Sequence, residues 1–128
     1  MNTLKLHTGY VVAPVDRRIF SGFVEHLGRC VYEGIYDPAS SHADEQGWRR
    51  DVIDAIKPLA MPLMRYPGGN FVSCYDWWDG IGPRAHRPRR LDYAWKSVET
   101  NQVGIDEFVQ WCRKTDTAPM MAVNLGTR

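Results

Sequence analysis

Arg65-Tyr66-Pro67-Gly68-Gly69-Asn70, coming straight after the short apolar run Pro62-Leu63-Met64, decides the fold of this chain. A strand covered on both faces reads as continuous apolar residues, and its first polar side chains stand where it leaves the sheet. Here that change falls at Arg65. Gly68 and Gly69 open backbone angles that a side chain would close, so the chain can turn sharply or approach a ligand closely. Arg65 and Asn70 flank that turn, at the end of the strand where α/β enzymes carry their chemistry.

Outward from this point the same pattern recurs. Ile19 to Val24 predicts a buried strand leading to Glu25-His26, and Pro119 to Val123 predicts another that exits at Asn124. An irregular segment rich in Gly, Pro, Ser and Asp runs to about Gln46. Trp48, Val52, Ile53, Ile56 and Leu59 then have helical spacing from Trp48 to Leu59, with Pro58 placed to stop the helix. A long loop spans Tyr66 to about Val103, and loops of such length in compact domains are usually functional. Ile105, Phe108, Val109 and Cys112 mark a second helix, with Asp106 and Glu107 at the positive end of its dipole. Strand, helix, strand, helix, strand is the order of a parallel α/β fold. Residues 3 to 13 read differently, as one or two short strands around the turn signal His7-Thr8-Gly9. Three strands and two helices leave sheet edges open, so the chain is expected to be a fragment of something larger.

With 16 Lys and Arg against 15 Asp and Glu, the net charge is only +1, and nothing marks nucleic acid as a partner. Arg84, Arg87, Arg89 and Arg90 are interrupted by Pro83 and Pro88 and flanked by Asp76, Asp79 and Asp92. That predicts a solvated loop with ion pairs. The stretch Met1 to His7 lacks the apolar run of a signal peptide, and no segment approaches the roughly 20 apolar residues of a membrane helix. No membrane partner and a cytoplasmic location are expected. Cys30, Cys74 and Cys112 are scattered, which fits reduced thiols. No Lys-Ser or Lys-Thr pair follows Gly68-Gly69 to complete a phosphate cradle, and no His, Asp and Glu cluster has metal spacing.

Phe23-Val24-Glu25-His26-Leu27-Gly28-Arg29, Arg65 through Ser73, Trp77 with Asp79-Gly80-Ile81-Gly82-Pro83, Arg87 through Asp92, Trp95 with Ser97 through Asn101, and Met121 through Arg128 together carry a resemblance across nearly the whole chain. They closely resemble the intracellular α-L-arabinofuranosidases of glycoside hydrolase family 51. The resemblance implies a (β/α)8 barrel joined to a β-sandwich, with residues 1–16 supplying sandwich strand(s) and residues 17–128 the first three strands and two helices of an incomplete barrel. It implies release of terminal arabinofuranosyl groups from arabinan and arabinoxylan oligosaccharides with retention of configuration and without metal or organic cofactor, by a parent that is often a hexamer. Retention takes two carboxyl groups about 5 to 5.5 Å apart. In the family both lie on later strands, so no catalytic residue is expected within these residues.

By the same resemblance Glu25 and Asn70 contact the sugar, Arg65 holds carboxylates at the end of the second strand, and Trp95 stands at the mouth of the site. Cys74 and Trp78 depart from the pattern, where glycine and an acidic residue are usual, which leaves loop shape and leaving-group preference open. Each residue also has a plainer reading. Glu25 could pair with Arg29, Arg65 could serve a buried ion pair, and Asn70 could supply turn or capping chemistry. His26 could hold Glu25 by a hydrogen bond or be purely structural. Trp111 is expected to pack in its helix and Trp77 in the loop core, with Trp78 undecided. The rival functions are a carbohydrate-binding protein without catalysis, and a family 51 enzyme with endoglucanase or β-xylosidase activity.

Overall fold

The computed structural model describes residues 2–126. Met1, which opens the N-terminal stretch, and Thr127 and Arg128, which close the last block of the resemblance, lie outside the described residues. In chain order the regular elements are β1 (Gly22–Phe23), α1 (Arg50–Ile56), β2 (Leu63–Tyr66), β3 (Arg90–Asp92), β4 (Ser97–Glu99), α2 (Ile105–Lys114) and β5 (Ala118–Met121). β1, β2 and β5 form a parallel sheet in that order, with Phe23 opposite Arg65 and Arg65 opposite Met120. α1 lies in the connection from β1 to β2 and α2 in the connection from β2 to β5, as the α/β pattern requires. β3 and β4 make a separate antiparallel hairpin, Leu91 facing Val98.

The core sits between the sheet and the helices. Phe108, Trp111 and Cys112 on α2 are fully buried, and Phe108 stacks on Tyr66 of β2 at 4.4 Å between ring centroids. Burying a side chain of that size contributes about 1.5–3 kcal/mol, which fixes α2 on the sheet more than helix propensity does. Glu107 also closes the first turn of α2, its carboxylate accepting the Gly104 N–H at 2.8 Å. Asp44 ties the irregular segment down from both sides. It accepts the Trp48 N–H at 2.9 Å and pairs with Lys114 Nζ at 2.8 Å.

Several expectations are corrected. Residues 3–13 form no strand among the described residues; they are exposed and without regular structure apart from the turn at Thr8 and Gly9, closed by the Tyr10 N–H to the His7 carbonyl at 3.0 Å. A strand needs a neighbour to pair with, and none is present there. β1 is shorter than Ile19 to Val24, because Arg17–Phe20 is a 3₁₀ turn capped by Asp16. Its side chains are not buried either: Phe23 is 61% exposed, and Met120 of β5 is 51% exposed. Both are outer strands of a three-stranded sheet, so one edge of each meets no described strand. The first helix begins at Arg50 and ends in a 3₁₀ turn, Lys57–Leu59, that includes Pro58. Trp48 is buried ahead of it, held in a turn by Asp44. The loop from Tyr66 to Val103 contains the β3–β4 hairpin and three 3₁₀ turns. Arg87 is no solvated loop residue: its side chain is buried and grips Glu107 with two hydrogen bonds of 2.9 Å. Arg90, paired with Asp79 at 2.8 Å, and Arg84, partly exposed and 3.4 Å from Glu107, do form the ion pairs expected of the loop.

Candidate functional site

Beyond β1 the chain keeps pairing with the exit of β2. Val24 N–H donates to the Arg65 carbonyl at 2.7 Å and His26 N–H to the Pro67 carbonyl at 3.3 Å. Glu25 is therefore turned toward the glycine turn. Its Oε1 accepts the N–H groups of Gly69 at 3.1 Å and Phe71 at 3.2 Å. Two backbone donors on one oxygen orient the carboxylate, and Oε2 takes no hydrogen bond among the described residues, leaving it open to a ligand hydroxyl. Gly68 makes the close approach possible. Its φ is +126°, and a Cβ there would overlap the Glu25 side chain, so both conformation and space demand glycine.

Asn70 is exposed beside this cradle. It occupies the N-cap position of the 3₁₀ turn Phe71–Cys74 with a right-handed helical backbone, its carbonyl accepting the Ser73 N–H at 3.3 Å, while its side chain makes no cap hydrogen bond. Glu25 does not pair with Arg29, which instead bridges to Glu33. Arg65 pairs with no carboxylate among the described residues; its guanidinium lies 5.2 Å from the Phe23 ring centroid and its buried Nε has no partner. Glu25, Arg65 and Asn70 thus all stand at or just past the ends of β1 and β2, Glu25 against the glycine turn and Arg65 against Phe23. Trp95 is carried separately, in the turn of the β3–β4 hairpin, half-buried and with its indole Nε1 unpartnered. Trp77 and Trp78 stack on each other at 4.2 Å, Trp78 being the exposed one, and Trp111 is packing in α2 as expected.

His26 does not hold Glu25. Its Nδ1 lies 2.9 Å from Glu99 Oε2 and its Nε2 lies 2.9 Å from the Tyr66 hydroxyl, which donates to the Val103 carbonyl. Glu99 also accepts the Tyr32 hydroxyl and the Asn101 N–H. Burial pushes the Glu99 carboxyl up, but the hydrogen bonds and charge of His26, with those of Tyr32 and Asn101, bring it below its ordinary value. Burial and the neighbouring Glu99 carboxylate push the Tyr32 phenol up, and burial does the same to Tyr66. Sequence reasoning missed this network. Its one local signal was Glu99 alternating with Val98 in a strand too short to read. A cavity of about 360 Å³ adjoins it, between Phe71–Asp79 and the hairpin, with Tyr75, Arg90 and Tyr93 in its wall; Glu25 and Asn70 do not line it.

Residues 55–128 match the family model described as the alpha-L-arabinofuranosidase 1 domain. This chain belongs to that family. The chain is 61% identical over 119 residues to an intracellular exo-alpha-(1->5)-L-arabinofuranosidase of Acetivibrio thermocellus, covering 93% of this chain and 24% of that protein. It is 58% identical over 126 residues to an exo-alpha-(1->6)-L-arabinofuranosidase of Bifidobacterium longum, covering 98% of this chain and 24% of that one. Among solved structures, a family 51 α-L-arabinofuranosidase of Bifidobacterium longum superposes with a TM-score of 0.88 at 59% identity, over 91% of this chain and 23% of the other. An α-L-arabinofuranosidase of Thermotoga maritima, in an arabinose complex, gives 0.88 at 51% identity over 92% and 24%. The chain thus spans about a quarter of the length of the curated relatives it matches.

Proposed function

We propose that this chain is part of an intracellular exo-acting α-L-arabinofuranosidase that cleaves with retention of configuration, and that it supplies one wall of the sugar pocket. The observation that carries the reading is the Glu25 carboxylate, fixed by the Gly69 and Phe71 N–H groups beside an exposed Asn70 at the ends of parallel strands. In this reading Glu25 Oε2 accepts hydroxyls of the arabinofuranosyl ring and Asn70 bonds the same unit. Arg65, without a carboxylate of its own here, holds one from elsewhere in the protein, and Trp95 lies against the leaving group. Both catalytic carboxylates belong to the three quarters of the relatives that this chain does not span. Residues 17–128 are then the opening of a (β/α)8 barrel, and residues 1–16, with Leu4, Leu6 and Val12 exposed, belong to a β-sandwich. Arabinan and arabinoxylan oligosaccharides are the substrates, and the intracellular names of several relatives support a cytoplasmic location.

The test is steady-state kinetics of the full-length protein on an aryl α-L-arabinofuranoside. Glu25→Ala leaves a sugar hydroxyl unpaired at a cost of roughly 1–3 kcal/mol or more and lowers kcat/KM accordingly, with Asn70→Ala milder. Unchanged kcat/KM for the Glu25 variant removes it from the pocket. Residues 1–128 alone are expected to show no turnover, and activity there that Glu25→Ala abolishes would overturn the assignment of catalysis to other parts of the protein.

A further inference from the structure

Glu99 contacts neither Glu25 nor Asn70, yet it is coupled to their wall. His26 follows Glu25 in the chain, and its ring stacks on Phe71 at 4.3 Å between centroids and 22° between planes. Phe71 in turn gives its N–H to Glu25. From β4, Glu99 holds the Nδ1 edge of the same ring, so a buried link runs from the hairpin that carries Trp95 to the Glu25–Asn70 turn. Among the described residues three groups hold the Glu99 carboxylate: His26, whose Nδ1 lies 2.9 Å from Oε2, and the Tyr32 hydroxyl and Asn101 N–H, which both donate to Oε1. A carboxylate accepts at both oxygens and can form an ion pair with the imidazole, whereas an amide keeps one acceptor oxygen and carries no charge.

We infer that Glu99 is a positioning residue that sets the β3–β4 hairpin against the sugar-binding turn and so controls the fit of the leaving group. The inference rests on the reading of Glu25 and Asn70 as sugar contacts and of Trp95 as the leaving-group side. Glu25 keeps its two backbone donors whether or not Glu99 is present, so the arabinofuranosyl subsite is retained when the link is cut. The hairpin is what loses its buried anchor. Its other charged tie, Arg90 to Asp79, involves a half-exposed arginine and is screened by solvent.

The experiment measures kcat and KM of the full-length protein on an aryl α-L-arabinofuranoside and on an α-(1→5)-linked arabino-oligosaccharide. Glu99→Gln is expected to lower kcat/KM on the oligosaccharide about tenfold more than on the aryl substrate, with the difference carried by KM. Tyr32→Phe, which removes one of the donors but keeps the ring, shifts the ratio the same way and less. Val98→Ala, on the outer face of the hairpin, leaves the ratio unchanged. A parallel loss on both substrates, or no loss, overturns the inference and makes Glu99 a stability residue. Should Glu99→Gln not fold, Tyr32→Phe decides by the same criterion. If the wild-type protein cleaves neither substrate, the arabinofuranosidase reading itself fails, which is distinct from an active enzyme with an unshifted ratio.

Discussion

Gly68 and Gly69 are adjacent, yet the structure assigns them opposite sensitivity. At Gly68 a methyl group meets two penalties at once. The residue sits at φ +126°, and its Cβ would overlap the Cβ, Cγ and Cδ of Glu25. Forcing a side chain into that backbone region costs about 1–3 kcal/mol, and relieving the overlap pushes Glu25 off its two N–H donors. Hydrogen bonds to a charged group are worth about 1.5–3 kcal/mol each, of which water recovers part at this half-buried position. The strain falls on folding stability and lowers the melt, while the displaced carboxylate loses about 2–3 kcal/mol in transition-state binding, roughly thirty- to a hundredfold in kcat/KM. At Gly69, by contrast, a Cβ would sit 3.9 and 4.0 Å from the Glu25 oxygens, an ordinary contact, and the backbone is not left-handed. Gly69→Ala is therefore expected to stay within about threefold of wild type. The assay is kcat/KM of the full-length protein on an aryl α-L-arabinofuranoside, with thermal melts of both variants. A Gly68→Ala enzyme within about threefold of wild type, or equal losses in the two variants, refutes the reasoning.

Trp95→Ala should reduce activity on oligosaccharides more than on aryl substrates, because only the former extend past the hairpin; equal losses would assign the indole to packing. Arg87→Ala removes both 2.9 Å hydrogen bonds to buried Glu107 and leaves it, among the described cations, only the longer contact to Arg84 at 3.4 Å, which should cost about 3 kcal/mol in urea unfolding; a change below about 1 kcal/mol would show that water or Arg84 replaces the guanidinium. Burial raises the Glu107 carboxyl, but the hydrogen bonds from Arg87 and the Gly104 N–H outweigh it and hold the group below its ordinary value of 4.5. A lowered carboxylate contributes stability that is complete above about 4.5 and is lost as pH falls through the folded value. Glu99, lowered for the same kind of reason, adds to that acid limb. Melts from pH 7 to pH 3 should show the loss in wild type, with a smaller slope in Arg87→Ala.

Much of the framework was legible in the residues because it is written locally. The apolar run ending at Arg65, the paired glycines, and the spacing of Ile105, Phe108 and Cys112 each describe neighbours in the chain, and the parallel α/β order and α2 follow from them. Glu25 and Arg65 draw attention for the same reason, each standing at the end of a strand or just past it, whereas the role of Asn70 came from the resemblance and not from its position. What the sequence did not reveal is which side chain meets which. Strands of three residues, such as β3 and β4, are too short for alternation to stand out from a loop, so the hairpin was read as irregular. Tyr32 and Glu99 are 67 residues apart and meet only because the hairpin folds back over the end of β1. Arg87, one of a basic cluster in the chain, is buried only because α2 brings Glu107 beneath it. Burial of β1 and β5 was misjudged from the other direction, since an apolar strand is buried only when something lies on it. Periodicity records the propensity of a segment, whereas burial, pairing and charge partners depend on elements distant in sequence, and only the tertiary structure decides those.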